Sequence, residues 1–418
     1  MAKASPMPEE APVIRMCGFM VRQGIGPQTR EQELAAKKDQ WTLFAACTPG
    51  MEPAVAHELR GLTDARLRQE EGGVELEGDL LDAAGLCLWA RTPSGILVRA
   101  GRFRAKSLQQ LYQETKKIQW SDLVAPGQPV EVRATVKGSR IQRSDNAARK
   151  IKLAISDAMK GARRLQSKRV HHPVTVVARI RGAEVTLSLD AVGQPLHRRG
   201  YRLATAKAPL RENLAASILV AVDWNPESEA LADPMCGSGT FSIEAALMAE
   251  DRAPGRRIRP AVVSWPSFPK KGWEQLKQQL DGPPLEHEAR IYSSDRNQGA
   301  IRAASDNAQR AGVAQSLSFR CCALDEDWEG LPSSGLVVVN PPYGKRIGDP
   351  GKLHALYKQF GRSLSKRYPG WRIAVVCPDK ALAGRLAPGI EERVRFRNGG
   401  LSVGLYLGTI PPHPKQAT

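Results

Sequence analysis

The sequence predicts an α/β protein whose main sheet is mostly parallel and ends in an antiparallel hairpin. Three segments carry this prediction. Residues 336–339 are an unbroken run of apolar β-formers, which is typical of a strand buried on both faces of a parallel sheet. Residues 232–248 have the pattern of a strand, a glycine-rich turn and a helix. Residues 393–397 and 401–407 flank an Asn-Gly-Gly sequence, which favours a hairpin turn.

The apolar run is followed directly by Asn340, Pro341, Pro342 and Tyr343. This order suits methylation of a planar amino nitrogen, which is a poor nucleophile because its lone pair is delocalised into the ring. The Asn340 amide oxygen and the Pro341 carbonyl can accept its two hydrogens, since Pro342 has no N–H to occupy the turn. Tyr343 would stack on the base and hold it in line. The alternative is an ordinary turn after a strand, where such residues are common.

A glycine-rich turn joins the strand that ends at Asp233 to a helical pattern beginning near Phe241. Gly237 and Gly239 let backbone amides approach an anionic ligand at the helix N-terminus. The dinucleotide fingerprint requires a third glycine where this chain has Ser242. A strand-end carboxylate with two glycines behind it fits S-adenosylmethionine, whose amino-acid moiety needs a carboxylate partner and amide donors.

A second short strand, residues 290–295, ends in Asp295, and a helical stretch at 298–311 is closed by Gly312. In doubly wound nucleotide-binding folds, a carboxylate at this position holds ribose hydroxyls. Asp295 could instead, or in addition, cap the helix. Residues 252–273, rich in Arg, Pro and Trp, intervene and could cover the site or contact substrate. The order of glycine turn, ribose acid, Asn340 motif and hairpin predicts a Rossmann-like class I methyltransferase sheet.

The region before this sheet predicts a smaller α/β unit of the kind that binds RNA. The predicted elements are a strand at 41–47, a helix at 52–62, a hairpin near Gly72, a helix at 80–89, a strand at 130–136, a helix at 146–159 and a hairpin at 175–189. Residues 1–40, with scattered Pro, Gly and mixed charges, predict a flexible extension.

Composition indicates a polyanionic partner. The 418 residues include 61 Lys plus Arg against 43 Asp plus Glu, for a net charge of +18. Residues 137–181 hold 13 of these cations against only Asp145 and Asp157, a density that favours phosphate contact over a merely solvated face. Such contacts position an RNA rather than specify its sequence.

Other classes of protein and site are disfavoured. The seven cysteines form no C-x-x-C pattern, so neither a zinc knuckle nor a disulfide framework is predicted and reduced thiols in a cytoplasm are expected. No apolar run approaches the roughly 18 residues of a membrane span, and no signal segment is recognisable. His171 and His172 lack ligand-type neighbours, so no metal is expected. Because no membrane-span pattern is present, no membrane partner is expected.

The chain resembles the bacterial THUMP-domain 23S ribosomal RNA guanine-N2 methyltransferases over nearly all of residues 41–410. The segments that carry the resemblance are 187–190, 196–202, 208–216, 233–240, 251–255 and 340–344. It implies S-adenosylmethionine-dependent methylation of guanosine N2 in structured RNA, with Asn340 to Tyr343 around the amino group. The cofactor contacts that it implies are Asp233, Pro234, Cys236, Gly237, Gly239 and Thr240 for methionine and Asp295 for ribose.

One departure from the family concerns the adenine. Members tend to have an acid where this chain has Ala323, so contact with the adenine amine is expected from Asp325 or from backbone. Some members carry a second methyltransferase domain, which this sequence, ending at Thr418, is expected to lack. The implied division is an extension at 1–40, a ferredoxin-like unit at 41–82, a THUMP domain at 83–191 and a methyltransferase domain at 192–412.

Several functions stay open at this point. A related THUMP architecture methylates transfer RNA guanosine at the same nitrogen. A DNA adenine-N6 methyltransferase would share the Asn340 motif but would want a base-reading domain. A protein-glutamine methyltransferase has no need for the positive charge, and a non-catalytic assembly factor is disfavoured by the intact glycine turn. Arg211 and Glu212 could contact cofactor or base, or form an exposed charge pair on a capped helix.

Overall fold

The computed structural model describes residues 40–160, 173–203, 210–278, 280, 290–326, 328–343 and 350–412. These residues form two seven-stranded sheets. The predicted extension at 1–40, apart from its last residue, lies outside the described residues, as do Gly344 and residues 161–172 of the basic run, which include His171 and His172. No described helix combines the length and apolar character needed to cross a membrane.

The first sheet belongs to the N-terminal half of the chain. Its elements are β1 Trp41–Ala46, α1 Glu52–Leu62, β2 Arg68–Glu70, β3 Gly73–Gly78, α2 Leu80–Trp89, β4 Gly95–Arg104, α3 Leu108–Lys116, β5 Val130–Lys137, α4 Ser144–Ala158, β6 Val174–Arg181 and β7 Glu184–Asp190. The strand order is β2-β3-β1-β4-β7-β6-β5, with β5 and β6 parallel. Each predicted element is confirmed, while β4 and α3 are additional.

Local chemistry explains where the predicted helices begin. The Asp79 side chain accepts from the Asp82 N–H at 2.8 Å, and the Asp82 carboxylate accepts from the Asp79 N–H at 2.9 Å, a reciprocal cap that starts α2. Pro53 lies in the first turn of α1, where its missing N–H costs nothing. Helix α4 buries Ile151 and Ile155 on the face that the sequence periodicity predicts.

The second sheet contains the glycine turn and the Asn340 motif. Its elements are α5 Glu212–Ala221, β8 Ala230–Asp233, α6 Thr240–Ala249, α7 Lys270–Gln278, β9 Ile291–Asp295, α8 Gln298–Ala311, β10 Leu317–Cys321, β11 Gly335–Val339, α9 Pro350–Arg367, β12 Arg372–Cys377, α10 Lys380–Ala383, β13 Glu391–Asn398 and β14 Leu401–Thr409. The order is β10-β9-β8-β11-β12-β14-β13, with β14 antiparallel to both neighbours. The predicted parallel sheet with a terminal antiparallel hairpin is therefore confirmed.

The two sheets are joined through buried polar groups. Glu58 of α1 accepts from the Arg91 N–H at 2.7 Å and from the Thr92 N–H at 2.9 Å. The Thr92 carbonyl in turn accepts from the Asn213 side chain of α5 at 3.1 Å and from Ser217 Oγ at 3.3 Å. All five residues are buried. Because burying a polar group is unfavourable unless it is bonded, these contacts define how the two halves dock.

Two expectations about this junction are corrected. Glu212 is 5% exposed and lies 3.4 Å from the Arg202 Nε, so it is a buried ion-pair partner rather than half of an exposed charge pair. The cause is that all residues of α5 from Glu212 to Leu219 are buried, so Glu212 has no exposed position available. Residues 252–273 make several backbone contacts to the N-terminal half, including Gly255 N–H to the Leu88 carbonyl at 2.8 Å and Ser267 N–H to the Asp122 carbonyl at 3.2 Å. They dock the two halves instead of covering the glycine turn.

Candidate functional site

The glycine turn and the Asn340 motif leave the sheet side by side. Strands β8 and β11 are paired in parallel, with Ala232 opposite Val337. Neighbouring strands are about 4.8 Å apart, so Asp233 at the end of β8 and Asn340 just after β11 emerge at the same edge. The strand order reverses between these two strands, and this is where open α/β sheets bind their ligands.

The glycine turn is held by its neighbours. Gly237 and Gly239 adopt left-handed conformations, with φ of 53° and 79°. The Gly237 N–H donates to Asp295 Oδ2 at 3.0 Å, and the Asn307 side chain donates to the Ser238 carbonyl at 3.0 Å. A Cβ at Gly239 would lie 3.1 Å from the Ala304 Cβ, whereas a Cβ at Gly237 would meet no described atom within 4 Å. The space beside Gly237 is therefore open to a ligand.

Thr240, the first residue of α6, is held from the side. Its hydroxyl accepts from Arg202 Nη2 at 2.6 Å, and the same Nη2 donates to the Leu210 carbonyl at 3.0 Å. Glu212 completes this arrangement as the carboxylate partner of Arg202. A buried cation thus fixes the start of the helix that closes the glycine turn.

Asp295 lies at the end of β9 and is half-buried. One oxygen accepts from Gly237, as above, and the other accepts from the Asn297 N–H at 2.9 Å. The helix cap is Asn297, whose side chain accepts from the Gly299 and Ala300 N–H groups at 2.8 and 3.2 Å. The expectation that Asp295 could cap the helix is therefore wrong. Each carboxylate oxygen keeps a further lone pair with which it can accept a hydroxyl.

Burial determines the protonation states of Asp233 and Cys236 at the glycine turn. Asp233 is 2% exposed, and this burial, with the negative charge of Asp295 adding to it, raises the pKa of the carboxyl to about 8. The Met235 N–H, 3.2 Å from Asp233 Oδ1, opposes that shift. Burial also raises the pKa of the Cys236 thiol well above its usual range. Pro234 is buried as well, so this wall of the site is dry.

Asn340 presents a buried acceptor without a partner. Its Oδ1 is inaccessible to solvent, and no donor from the described residues is within hydrogen-bond distance. An unsatisfied buried acceptor costs about 1–3 kcal/mol, so this oxygen is a candidate acceptor for a hydrogen-bond donor that a ligand brings. Pro341 is buried beside it and Pro342 is half-buried.

Tyr343 is 8% exposed and belongs to the main apolar cluster. Its hydroxyl accepts from Asn398 Nδ2 at 2.7 Å. The residues that follow Tyr343, up to 349, lie outside the described part of the chain.

Two of the acids in the loop after β10 lie near Ala323 in the sequence. Asp325 is exposed. Glu326 Oε1 accepts from the Ala323 N–H at 2.9 Å, so its carboxylate is held next to the backbone of the residue where family members tend to have an acid. Sequence reasoning did not identify Glu326, Arg202, Asn307 or Asn398. The only available signal for Arg202 was its place in the segment 196–202.

No three His, Cys, Asp or Glu side chains cluster closely enough to hold a metal ion within the part of the chain that the structure describes. A cavity of about 590 Å³ lies in the N-terminal half, between the beginnings of α3 and α4. It is distant in the fold from the Asn340 motif. Its lining includes Lys106, Arg140 and Arg143.

Family comparisons agree with this architecture. Residues 42–97 match the RlmL ferredoxin-like domain, residues 105–190 match the THUMP domain, and residues 199–404 match the RMKL-like methyltransferase domain. A ribosomal RNA large subunit methyltransferase K/L of Syntrophotalea carbinolica is 35% identical over 87% of this chain and 52% of its own length. The chain thus spans about half the length of the relatives of that name.

A Synechocystis sp. protein that is named as an RNA methyltransferase is 35% identical over 86% of this chain and 94% of its own length. Among solved structures, a Listeria monocytogenes protein described as a predicted N6-adenine-specific DNA methylase has a TM-score of 0.80 at 28% identity, covering 91% of this chain and 99% of its own. The methyltransferase SMU.472, complexed with S-adenosylhomocysteine, has a TM-score of 0.77 at 25% identity, covering 88% and 98%.

Proposed function

Because the chain belongs to the family of THUMP-containing, RMKL-like methyltransferases, we propose that it transfers a methyl group from S-adenosylmethionine to the exocyclic N2 of a guanosine in structured RNA. The substrate we propose is 23S ribosomal RNA, after the relatives named ribosomal RNA large subunit methyltransferase K/L. We place this activity in the cytoplasm. The division at residues 41–82, 83–191 and 192–412 remains part of the proposal.

The orphaned acceptor on Asn340 carries this proposal. It lies one strand away from the glycine turn, at the edge where ligands bind. S-adenosylmethionine, when bound, supplies an electrophilic methyl group. Asn340 Oδ1 and the Pro341 carbonyl would accept the two N2 hydrogens and turn the nitrogen lone pair toward that methyl group. The methylated nitrogen then loses one proton to solvent without a tuned general base, and Tyr343 holds the guanine ring in plane.

The residues of the glycine turn fit the cofactor. The open space at Gly237 leaves room for a ligand beside its backbone. Asp233 would pair with the methionine ammonium, Thr240 and Gly239 would present the helix start to the carboxylate, and Asp295 would accept from the ribose. For the adenine amine, Glu326 is a candidate beside Asp325, because its carboxylate already lies at Ala323.

Affinity for S-adenosylmethionine should depend on the pH. In the free protein Asp233 is mostly protonated below its pKa of about 8, while the ligand ammonium prefers the carboxylate. Binding should therefore release a proton, and affinity should rise by up to about tenfold per pH unit between roughly pH 6 and pH 8, then level off. Calorimetric titration at several pH values measures this, and Asp233→Asn should flatten the curve. An affinity that falls as the pH rises would contradict the role of Asp233.

The cavity between α3 and α4 supports the RNA partner. Lys106, Arg140 and Arg143 are exposed cations on its lining, and helix N-termini meet there, so the surface favours phosphate. The double change of Arg140 and Arg143 to Gln should weaken RNA binding and reduce the slope of log affinity against log salt by about 1.8. Lys116→Gln, at the other end of α3, is the matched control. An unchanged salt slope in the double variant would remove this surface from the RNA interface.

A second candidate is methylation of adenine N6 in DNA. The Listeria monocytogenes structure, which is described as a predicted N6-adenine-specific DNA methylase, favours this candidate. The Asn340 motif favours it as well. Purified protein with labelled S-adenosylmethionine should methylate total RNA and leave duplex DNA unlabelled. Label in DNA alone would favour the second candidate. Label in transfer RNA alone would mean that the substrate is transfer RNA instead of 23S ribosomal RNA.

A further inference from the structure

The tip of the hairpin formed by β13 and β14 lies at the same edge of the sheet as the Asn340 motif. Gly404 of β14 is opposite Cys377, the last residue of β12. The turn at Gly399 and Gly400 is therefore several residues beyond the carboxyl end of β12. Both turn glycines are left-handed, with φ of 58° and 87°.

Asn398 at this tip does more than form a turn. Its side chain donates from Nδ2 to the Tyr343 hydroxyl at 2.7 Å. Strands β12 and β14 separate β13 from β11, a distance of about 14 Å at the usual strand spacing. The contact is therefore made above the carboxyl edge, where the loop after β11 and the hairpin tip meet.

The contact is at a solvent boundary. Leu401 is directly opposite Asn398 in the antiparallel ladder, so the two side chains point to the same face of the hairpin. Leu401 is 48% exposed, although it is on the face that meets Tyr343. The hairpin tip beside the Tyr343 hydroxyl therefore borders solvent.

The hairpin is held in place from the opposite side. Arg395 of β13 donates to Tyr406 Oη of β14 at 2.8 Å and to Glu392 Oε1 at 3.0 Å. The backbone of Gly50, which follows β1 and has a φ of 100°, packs against the Arg395 carbonyl so closely that a Cβ would not fit. The N-terminal half thus supports the strand that ends at Asn398.

We infer that Asn398 is a positioning residue of the target-base site, because its amide holds the Tyr343 hydroxyl and with it the position of the ring on which the guanine stacks. The inference rests on the proposed function, since it requires a base beside Asn340. Without this hydrogen bond the hydroxyl end of the ring loses one of the contacts that set its position. The correct base orientation is then populated less often, while the structure of the glycine turn does not change.

A double-mutant cycle tests the inference. Asn398→Ala and Tyr343→Phe should each lower kcat/KM for RNA by about three- to tenfold, as expected for one hydrogen bond. The double variant should lose about as much kcat/KM as the more impaired single variant, because both changes remove the same contact. Asn398→Asp offers an acceptor to which the Tyr343 hydroxyl can donate, which reverses the direction of the hydrogen bond but keeps the contact, and it should recover most of the loss. Ser402→Ala, on the other face of the tip, is the matched control.

Affinity for S-adenosylmethionine distinguishes a positioning role from a structural one, because a general structural defect would also lower cofactor affinity. Calorimetric titration should give wild-type cofactor affinity for all five variants. Additive losses in the double variant, wild-type kcat/KM for Asn398→Ala, or a parallel loss of cofactor affinity would overturn the inference. Should Asn398→Ala fail to fold, Tyr343→Phe with Asn398→Asp supplies the same comparison. An inactive wild-type protein would instead refute the proposed function.

Discussion

Asn340→Ala is expected to lower kcat by on the order of 10³-fold, the largest effect on activity for a single side chain in this account. The change removes one of two acceptors that bind the amino group as its nitrogen becomes pyramidal. It also removes a buried oxygen that has no partner among the described residues, so the fold should not lose stability. Single-turnover kinetics with S-adenosylmethionine and RNA measure the chemical step separately from binding.

RNA affinity provides the internal control for this prediction. The phosphate-binding surface proposed above is in the N-terminal half, so Asn340→Ala should bind RNA nearly as well as the wild type. Asn340→Asp keeps an acceptor oxygen at the same place and should retain more activity than Asn340→Ala. A large loss of RNA affinity in Asn340→Ala would mean that the target-base site is misassigned.

Glu58→Ala is expected to have the largest effect on stability, a loss of about 3–5 kcal/mol in the free energy of unfolding. Glu58 is 5% exposed and accepts from both the Arg91 and Thr92 N–H groups and from the Thr92 hydroxyl at 2.5 Å. Alanine would leave three buried donors without a partner at the junction of the two halves. Urea denaturation followed by circular dichroism measures the change.

The exposed Glu184 of β7 offers a matched control for the stability measurement. Glu184→Ala removes a carboxylate from the same half of the chain and should change the free energy of unfolding by no more than about 0.5 kcal/mol. A Glu58→Ala variant as stable as the wild type would show that the two halves dock by apolar contact alone.

The elements that sequence reasoning identified are those with strong local signals. Strand β11 is apolar throughout, α8 begins after an Asn cap and ends at a left-handed Gly312, and the hairpin turns at consecutive glycines. Such signals depend on neighbours within a few residues. The positions of the glycine turn and the Asn340 motif follow from these elements once the strands are parallel.

The elements that were missed depend on distant partners. Helix α3 buries Leu111 and Thr115 and is otherwise mostly polar, so it offers few apolar residues from which a helix could be predicted. Strand β4 contains a register shift between Arg99 and Gly101, which interrupts alternation.

The same reason explains the missed site residues. Arg202 meets Thr240 38 residues away, and Asn398 meets Tyr343 at a separation of 55 residues. Nothing near Arg202 in the sequence indicates its partner. For Asn398, the adjacent glycines predict a turn and give no sign of the tyrosine.

Nucleoside mass spectrometry of RNA methylated by the purified protein shows whether Asn340 and Pro341 hold a guanine amino group beside the methyl donor. We expect N2-methylguanosine at a single site in 23S ribosomal RNA, absent when Asn340→Ala replaces the wild type. Methyl groups on a ring nitrogen or on carbon, or N2-methylguanosine formed equally well by Asn340→Ala, would contradict it.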